Sequence, residues 1–370
     1  MYNVKKYLLL LFLILSFLNL IAQEKFKVTI IESQTQPQLK LFHNADSSLI
    51  QYTGRVEREN VSLPRFWQPG VYFTAKFNGA ECEVFLNDEV LYGNSHNYIE
   101  VIVDTMKPVR LQTKGRINEI IVEGLSEDNH TITICKNTEA GIGYLEFAGI
   151  NCKKLLELPV KPVRKIEFIG NSITCGTGMD LSEIPCGKGQ WYDQHNAYMS
   201  YGPLTSRALY AQWVLSSVSG IGLIHSCCNM NITMPQVFDK INMRVDSITW
   251  NFNNYNPDIV TICLGQNDGV QDSATFCNAY IYFIQTIRNK YTNADIICLT
   301  SPMGDAILTA VLKNYLSSIV TTLNNSGDKK IYKYFFSKQY HHGCGGHPDL
   351  NEHKLIAAEL ALYIRKLKHW

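Results

Sequence analysis

The chain has 370 residues, of which 46% are apolar and 18% charged, and its formal charge is +1. That length suits two domains of roughly 150 residues each, and the composition excludes a disordered chain. The balanced charge excludes the basic footprint of a nucleic-acid binder or a membrane-surface protein, so neither is expected as a partner.

Lys5 and Lys6 precede an apolar run from Tyr7 to Leu18, and Ala22 offers a small residue for cleavage. This is the pattern of a signal peptide over residues 1–22. The run is short for a spanning helix, which needs about 20 apolar residues. The reading is a secreted or periplasmic protein with no membrane insertion once the signal is removed; an uncleaved N-terminal anchor is the other reading of the same residues. Export permits disulfides, yet eleven cysteines leave at least one thiol unpaired. No Cys-x-x-Cys pair with metal spacing occurs. Cys263 and Cys298 sit inside apolar runs and read as buried hydrophobes. The spacing of the cysteines gives no pairing.

Residues 23–157 carry short alternating runs. Phe26–Ile30, Gly70–Phe77, Cys82–Leu86, Tyr98–Val103, Ile117–Val122 and Thr131–Ile134 each place apolar residues at every second position or nearly so. Asn78-Gly79, Asn87-Asp88 and Asp128-Asn129 punctuate them as turns. Many short strands without a helical period predict an all-β sandwich. Pro159 and Pro162 then mark a linker over 158–165.

From 166 to 370 the pattern changes. Strand candidates Ile166–Ile169, Val214–Val218, Ile259–Leu264, Ile296–Leu299 and Ile331–Phe336 alternate with helical stretches near Pro203–Gln212, Ala274–Tyr291, Ala306–Leu323 and Leu350–Leu367. In the last stretch Ile356, Leu360, Tyr363, Ile364 and Leu367 fall on one stripe. Such alternation predicts an α/β domain whose parallel sheet is covered by helices on both faces.

Sites in open α/β sheets form at the carboxyl ends of the strands. Here those ends carry Gly170-Asn171-Ser172-Ile173-Thr174, Ser219-Gly220-Ile221-Gly222, Gly265-Gln266-Asn267-Asp268 and, after the fifth strand, Gly345-Gly346-His347-Pro348. A serine, a glycine, an asparagine and a late histidine are the parts that acyl transfer requires: a nucleophile, oxyanion donors and a base.

These blocks, in this order, resemble those of the SGNH or GDSL hydrolases. The Gly170–Gly176 wording, the Gly346-His347-Pro348 … His353 tail and the β-rich domain in front are similar to the second family of carbohydrate esterases. The resemblance implies a jelly-roll sandwich followed by a flavodoxin-like three-layer α/β/α domain. It also implies removal of acetyl groups from plant polysaccharide such as xylan or mannan. Residue by residue, it implies Ser172 as nucleophile and His347 as general base, and oxyanion donors from the N–H groups of Ser172 and Gly220 and the amide of Asn267. No cofactor or metal is required, and a monomer is expected.

The chain departs from the superfamily pattern at two places. Asn171 stands where Asp is usual, and Cys344 stands where most members carry an acid three residues before the histidine. A Ser172–His347 dyad is the expectation, with a backbone carbonyl orienting the ring; an acid such as Asp349 or Asp305 reaching in is the alternative. Alone, Ser172 would read as a turn serine, and His341, His342 and His347 as a metal cluster. Asp268 reads as a binder of loop backbone, and His353 as a first-turn residue of the last helix, which Asp349 or Asn351 caps. Trp191, in a long loop after Ser172, is a candidate for stacking on a sugar ring, with packing between the domains as the other reading. A generalist short-chain esterase or lysophospholipase, and a glycan-binding protein with a decayed hydrolase domain, remain the competing functions.

Overall fold

The structure, a computed structural model, describes residues 26–33, 41–245 and 248–370. The signal peptide expected over 1–22 lies outside the described residues. Among the described residues, twelve antiparallel strands build two six-stranded sheets at the N-terminal end. In the first, β1 (Lys27–Glu32), β9 (Ile117–Glu123), β6 (Cys82–Asp88), β11 (Leu145–Asn151) and β2 (Phe42–Asn44) lie side by side, with β4 (Arg65–Phe66) also on β11. In the second the order is β12 (Lys154–Leu156), β5 (Tyr72–Asn78), β10 (Asn129–Lys136), β7 (Tyr98–Val103) and β8 (Val109–Gln112), with β3 (Ile50–Thr53) on β5. The alternation explains why the sheets stack. Along β5, Phe73, Ala75 and Phe77 are buried while Thr74 and Lys76 are only partly covered. Phe73 stacks on Phe147 of β11 with ring centroids 4.0 Å apart. Each such side chain removed from water contributes roughly 1.5–3 kcal/mol.

The second domain begins two residues earlier than the linker boundary read from sequence. Arg164 and Lys165 pair with Ala211 and Gln212 and so belong to β13 (Arg164–Gly170). Five parallel strands follow the order β14 (Ala211–Ser217), β13, β15 (Ile259–Cys263), β16 (Asp295–Leu299), β17 (Ile331–Tyr334). Helices α1 (Ser172–Cys175), α2 (Tyr201–Ala208), α3 (Met234–Val237), α4 (Ser273–Lys290), α5 (Ala306–Asn325) and α6 (Leu350–Lys368) connect or follow them. The period-two rule sorts the two faces. Ile169, Val260, Ile262 and Ile296 pack with Phe283, Ile287, Leu312 and Leu316 of α4 and α5. Ile166, Phe168, Ile297 and Leu299 pack with Tyr201 of α2 and with Ile356, Leu360 and Ile364 of α6. By length and composition α5 could cross a membrane, but Leu308, Leu312, Leu316 and Ile319 lie buried in this core. The stretch expected as one helix over Pro203–Gln212 is instead a helix, a reversal and a strand. Tyr210 takes φ 51°, and Ala211 and Gln212 turn into β14.

The two domains share a buried interface. Arg55 of the sandwich reaches β13, where its Nη2 lies 2.9 Å from Glu167 Oε1, and both side chains are essentially inaccessible. Its Nη1 donates to the carbonyls of Phe238 and Lys240, at 2.5 and 2.7 Å. Trp213 Nε1 donates to Gly70 O at 2.9 Å, and its ring lies 4.3 Å from that of Tyr72. A buried charge left without its partner is costly, so Arg55→Leu should destabilise the protein by about 3–5 kcal/mol. Urea unfolding followed by tryptophan fluorescence measures this, and a loss below about 1 kcal/mol would mean that Glu167 is satisfied without Arg55.

Candidate active site

The order β14-β13-β15 places β13 at the topological switch point, where the loops leaving neighbouring strands diverge and open a crevice at their carboxyl ends. Ser172 stands at the end of β13 as the first residue of α1. Asn171 is the N-cap, its Oδ1 accepting the N–H of Ile173 at 3.2 Å. The residue that replaces the usual Asp thus still shapes the turn through a side-chain acceptor. A Cβ on Gly170 would sit 2.1 Å from Thr174 Oγ1, so only glycine lets the strand run into this helix so tightly.

His347 arrives from the other side. A 3-10 turn over Cys344–Gly346, with Gly345 and Gly346 at φ 62° and 73°, swings the chain round ahead of it. The turn docks on the loop after the serine: the N–H of Cys344 donates to Gly178 O at 2.8 Å. A Cβ on Gly178, at φ 68°, would approach the Cys344 carbonyl to 2.7 Å. Cys344 is also disulfide-bonded to Cys186, 158 residues earlier, which ties the histidine turn to the long loop carrying Trp191. Cys227 and Cys228 form a second pair, and the remaining seven cysteines are free.

The ring of His347 is held at both nitrogens. Nε2 lies 2.8 Å from Ser172 Oγ, and Nδ1 lies 3.0 Å from the carbonyl oxygen of Cys344. Nδ1 therefore carries the proton and donates it to the carbonyl, leaving Nε2 as the acceptor for the serine hydroxyl. Burial pushes the ring's pKa below the ordinary histidine value, and the Cys344 carbonyl partly restores it. Neither alternative acid reaches the ring. Asp349 caps α6, accepting the N–H groups of Asn351 and Glu352, and Asp305 caps α5 through the N–H of Leu308.

Gly220 follows β14 with φ 83°, and a Cβ there would lie 3.0 Å from Cys227 Sγ. Among the described residues, the N–H groups of Ser172 and Gly220 meet no acceptor. Asn267 turns one amide hydrogen to Ile221 O at 2.8 Å, which fixes the carboxamide and leaves its second hydrogen available. Asp268 is fully engaged in binding loop backbone, accepting the N–H groups of Leu223, Ile224 and His225 at 2.7–3.0 Å. His353 is buried, its Nδ1 accepting the N–H of Tyr201 at 3.1 Å, and burial pushes its pKa down to about 3. His347 is not part of a histidine cluster. His341 and His342 gather instead with Glu352, their ligand atoms within 4.8 Å of one another. That carboxylate already accepts the N–H groups of His341, His342 and Asp349.

Trp191 is 55% exposed, its ring edge-on to His195 with centroids 4.9 Å apart. It therefore presents an open indole surface and is not buried in the domain interface. The alternating strand pattern gave no sign of what surrounds this loop. Sandwich residues grip it: Arg110 donates to the carbonyls of Asp193 and His195, and Tyr98 Oη lies 3.1 Å from Asp193. Glu139, also from the sandwich, penetrates to Ser219 beside Gly220. Its only sequence signal is the polar run Lys136–Glu139 after an apolar strand, which reads as a surface loop.

Comparison with known proteins places both halves. Residues 52–162 match the carbohydrate esterase 2 N-terminal family, and residues 168–326 match the GDSL-like lipase/acylhydrolase family. A cellulase/esterase of Acetivibrio thermocellus is 30% identical over 344 residues, 88% of this chain; the chain spans 40% of that relative's length. An acetylxylan esterase/glucomannan deacetylase of Cellvibrio japonicus is 25% identical over 352 residues, covering 91% of this chain and 95% of the relative. The structure of a family two carbohydrate esterase from Clostridium thermocellum in complex with cellohexaose superposes with a TM-score of 0.80. It is 30% identical, covering 87% of this chain and 99% of the other. A sandwich of this family's type joined to a parallel sheet with a serine and a histidine at its rim, together with that likeness over almost the whole of a solved member, assigns the family: this chain belongs to carbohydrate esterase family two.

Proposed function

We propose that this protein is a secreted or periplasmic serine esterase that removes acetyl groups from the hydroxyls of a plant polysaccharide such as xylan or mannan. The observation that carries the reading is the 2.8 Å contact between Ser172 Oγ and His347 Nε2 at the rim of the sheet. The relatives' activities support the substrate class, since the Cellvibrio proteins are acetylxylan esterases and glucomannan deacetylases. The Lys5–Ala22 pattern and the Cys186–Cys344 disulfide support an oxidising location.

In this reading His347 Nε2 takes the proton of Ser172 as Oγ attacks the acetyl carbonyl. The N–H groups of Ser172 and Gly220 and the free amide hydrogen of Asn267 receive the developing oxyanion. The imidazolium then gives its proton to the leaving sugar hydroxyl, and water attacks the acyl-enzyme by the reverse path to release acetate. The Cys344 carbonyl orients the ring and fixes its tautomer, the main service of a third group, without adding a negative charge. No cofactor enters these steps. The exposed indole of Trp191 offers an apolar face to a pyranose ring. The uniform filling of all four positions favours catalysis over a decayed hydrolase domain that only binds glycan.

Acetate release from acetylated xylan and glucomannan should be abolished by Ser172→Ala, whereas Asn267→Ala should lower kcat about 10²–10³-fold. Turnover by Ser172→Ala close to wild type would overturn the assignment. Faster turnover on long acyl esters than on acetyl esters would favour a generalist esterase.

As a base, His347 works when neutral, so activity falls as pH drops through its pKa. Because burial lowers that pKa, the acid limb of kcat/KM should have its midpoint below 6.5, the ordinary histidine value. A midpoint above that value would mean that a nearby carboxylate outweighs the effect of burial on the ring. Asn caps helices about as well as Asp. Asp305→Asn combined with Asp349→Asn should therefore leave kcat/KM within about threefold of wild type. A hundredfold loss would restore one of these acids to the mechanism.

A further inference from the structure

The mechanism above uses no residue of the sandwich, yet one buried carboxylate of that domain ends beside the oxyanion donors. Glu139 is 2% exposed. Its Oε2 accepts the N–H of Ser219 at 2.6 Å, its Oε1 lies 3.4 Å from His195 Nε2, and the thiol of Cys175, in the helix that Ser172 opens, points to it at 3.7 Å. The Glu139 turn is itself fixed from within. Lys136 Nζ, fully buried, donates to the carbonyls of Thr138 and Glu139 at 2.6 and 3.2 Å. All three partners of the carboxylate belong to the esterase domain; Ser219 adjoins the donor Gly220, and Cys175 lies in the same short helix as Ser172.

Ser219 is held twice. Besides its N–H on Glu139, its hydroxyl lies 2.7 Å from Thr177 Oγ1, which in turn lies 3.2 Å from His195 Nε2. Fixing residue 219 at its amide and at its side chain sets the frame of its Cα, and because the peptide unit is planar only one torsion, ψ of Ser219, then separates that frame from the plane that carries the Gly220 N–H. At φ 83° Gly220 has no side chain to hold that plane itself. The Gly220 carbonyl is held on its far side by the N–H of Cys227 at 2.8 Å, and on the Ser219 side Glu139 supplies the anchor. The charge of Glu139 also favours protonation of His347, while His195 opposes it.

We propose that Glu139 is a positioning residue supplied by the sandwich domain, holding the Ser219–Gly220 peptide so that the Gly220 N–H faces the oxyanion. The inference rests on Ser172 being the nucleophile. It makes the sandwich a structural part of the acyl-transfer site, whatever it does toward glycan. A positioning role predicts loss in the transition state with little change in ground-state binding.

Steady-state kinetics of the full chain on an acetylated xylo-oligosaccharide test it. Glu139→Ala should lower kcat about 10–100-fold with KM within about twofold of wild type. Glu139→Gln, which keeps an oxygen for the Ser219 N–H, should recover at least about tenfold of that loss. The loss of the Glu139→Ala/Asn267→Ala double variant should be smaller than the product of the two single losses, because both act on one oxyanion. Glu139→Met fills the same space without an acceptor and carries the same expectations if the alanine variant does not fold. A kcat within twofold of wild type, a glutamine variant no better than alanine, or losses that multiply with Asn267→Ala would each overturn the proposal. Ser172→Ala run alongside separates the cases: if it retains activity the nucleophile assignment fails, and if it is inactive while Glu139→Ala is normal only this inference fails.

Discussion

The arrangement at the rim of the sheet depends on one hydrogen bond, from His347 Nδ1 to the backbone carbonyl of Cys344. A neutral imidazole has a single N–H, and only if that proton is committed on the far side does Nε2 present a lone pair to Ser172. Most serine hydrolases commit it to a carboxylate. Here a main-chain acceptor performs the same service, and the chain is built to hold that acceptor still. Gly178 has no Cβ to block the carbonyl, the Cys344 N–H is tied to Gly178 O, and the Cys186 disulfide anchors the same residue. What is given up is a negative charge beside the developing imidazolium. What is gained is a buried ring that stays neutral to lower pH.

The sandwich and the α/β domain meet through interactions that neither could satisfy alone. Arg55 enters the parallel sheet at Glu167 and Trp213 donates to Gly70, while Arg110 and Asn137 hold the loop of residues 193–198 from the sandwich side. Buried charges and orphan carbonyls of this kind are expensive unless paired, so the interface fixes one relative placement of the domains. The long loop with Trp191 takes its shape from both of them, and the Ser219–Gly220 segment is bonded to Glu139.

Much of this was legible in the sequence because it follows from local periodicity. Alternation found six of the sandwich strands described, the apolar runs found the parallel strands, and the rule that sites gather at carboxyl ends picked out four loops, within which the resemblance to the SGNH hydrolases pointed to Ser172, Gly220, Asn267 and His347. The structure brings Ser172 and His347 into contact across 175 residues, a closeness that only the blocks' order had suggested. What was not legible depends on pairing at a distance. Cys344 read as the gap left by a missing acid, and its partner Cys186 lies 158 residues away. Glu139 and Ser219 are 80 residues apart on different domains, and a polar run after a strand looks the same whether it faces water or plugs an interface. The helix expected through Gln212 failed for a smaller reason: propensity gave no warning that Tyr210 would take a left-handed conformation and start a strand.

The claim that Ser172 is an activated nucleophile is tested most directly by covalent chemistry. The full chain is incubated with a small serine-directed phosphonate, and its intact mass and peptide map are recorded. A single adduct on the peptide containing Ser172, absent after His347→Ala, is the expected result. Failure of the wild-type chain to take up the reagent, or an adduct on another serine, would contradict the account.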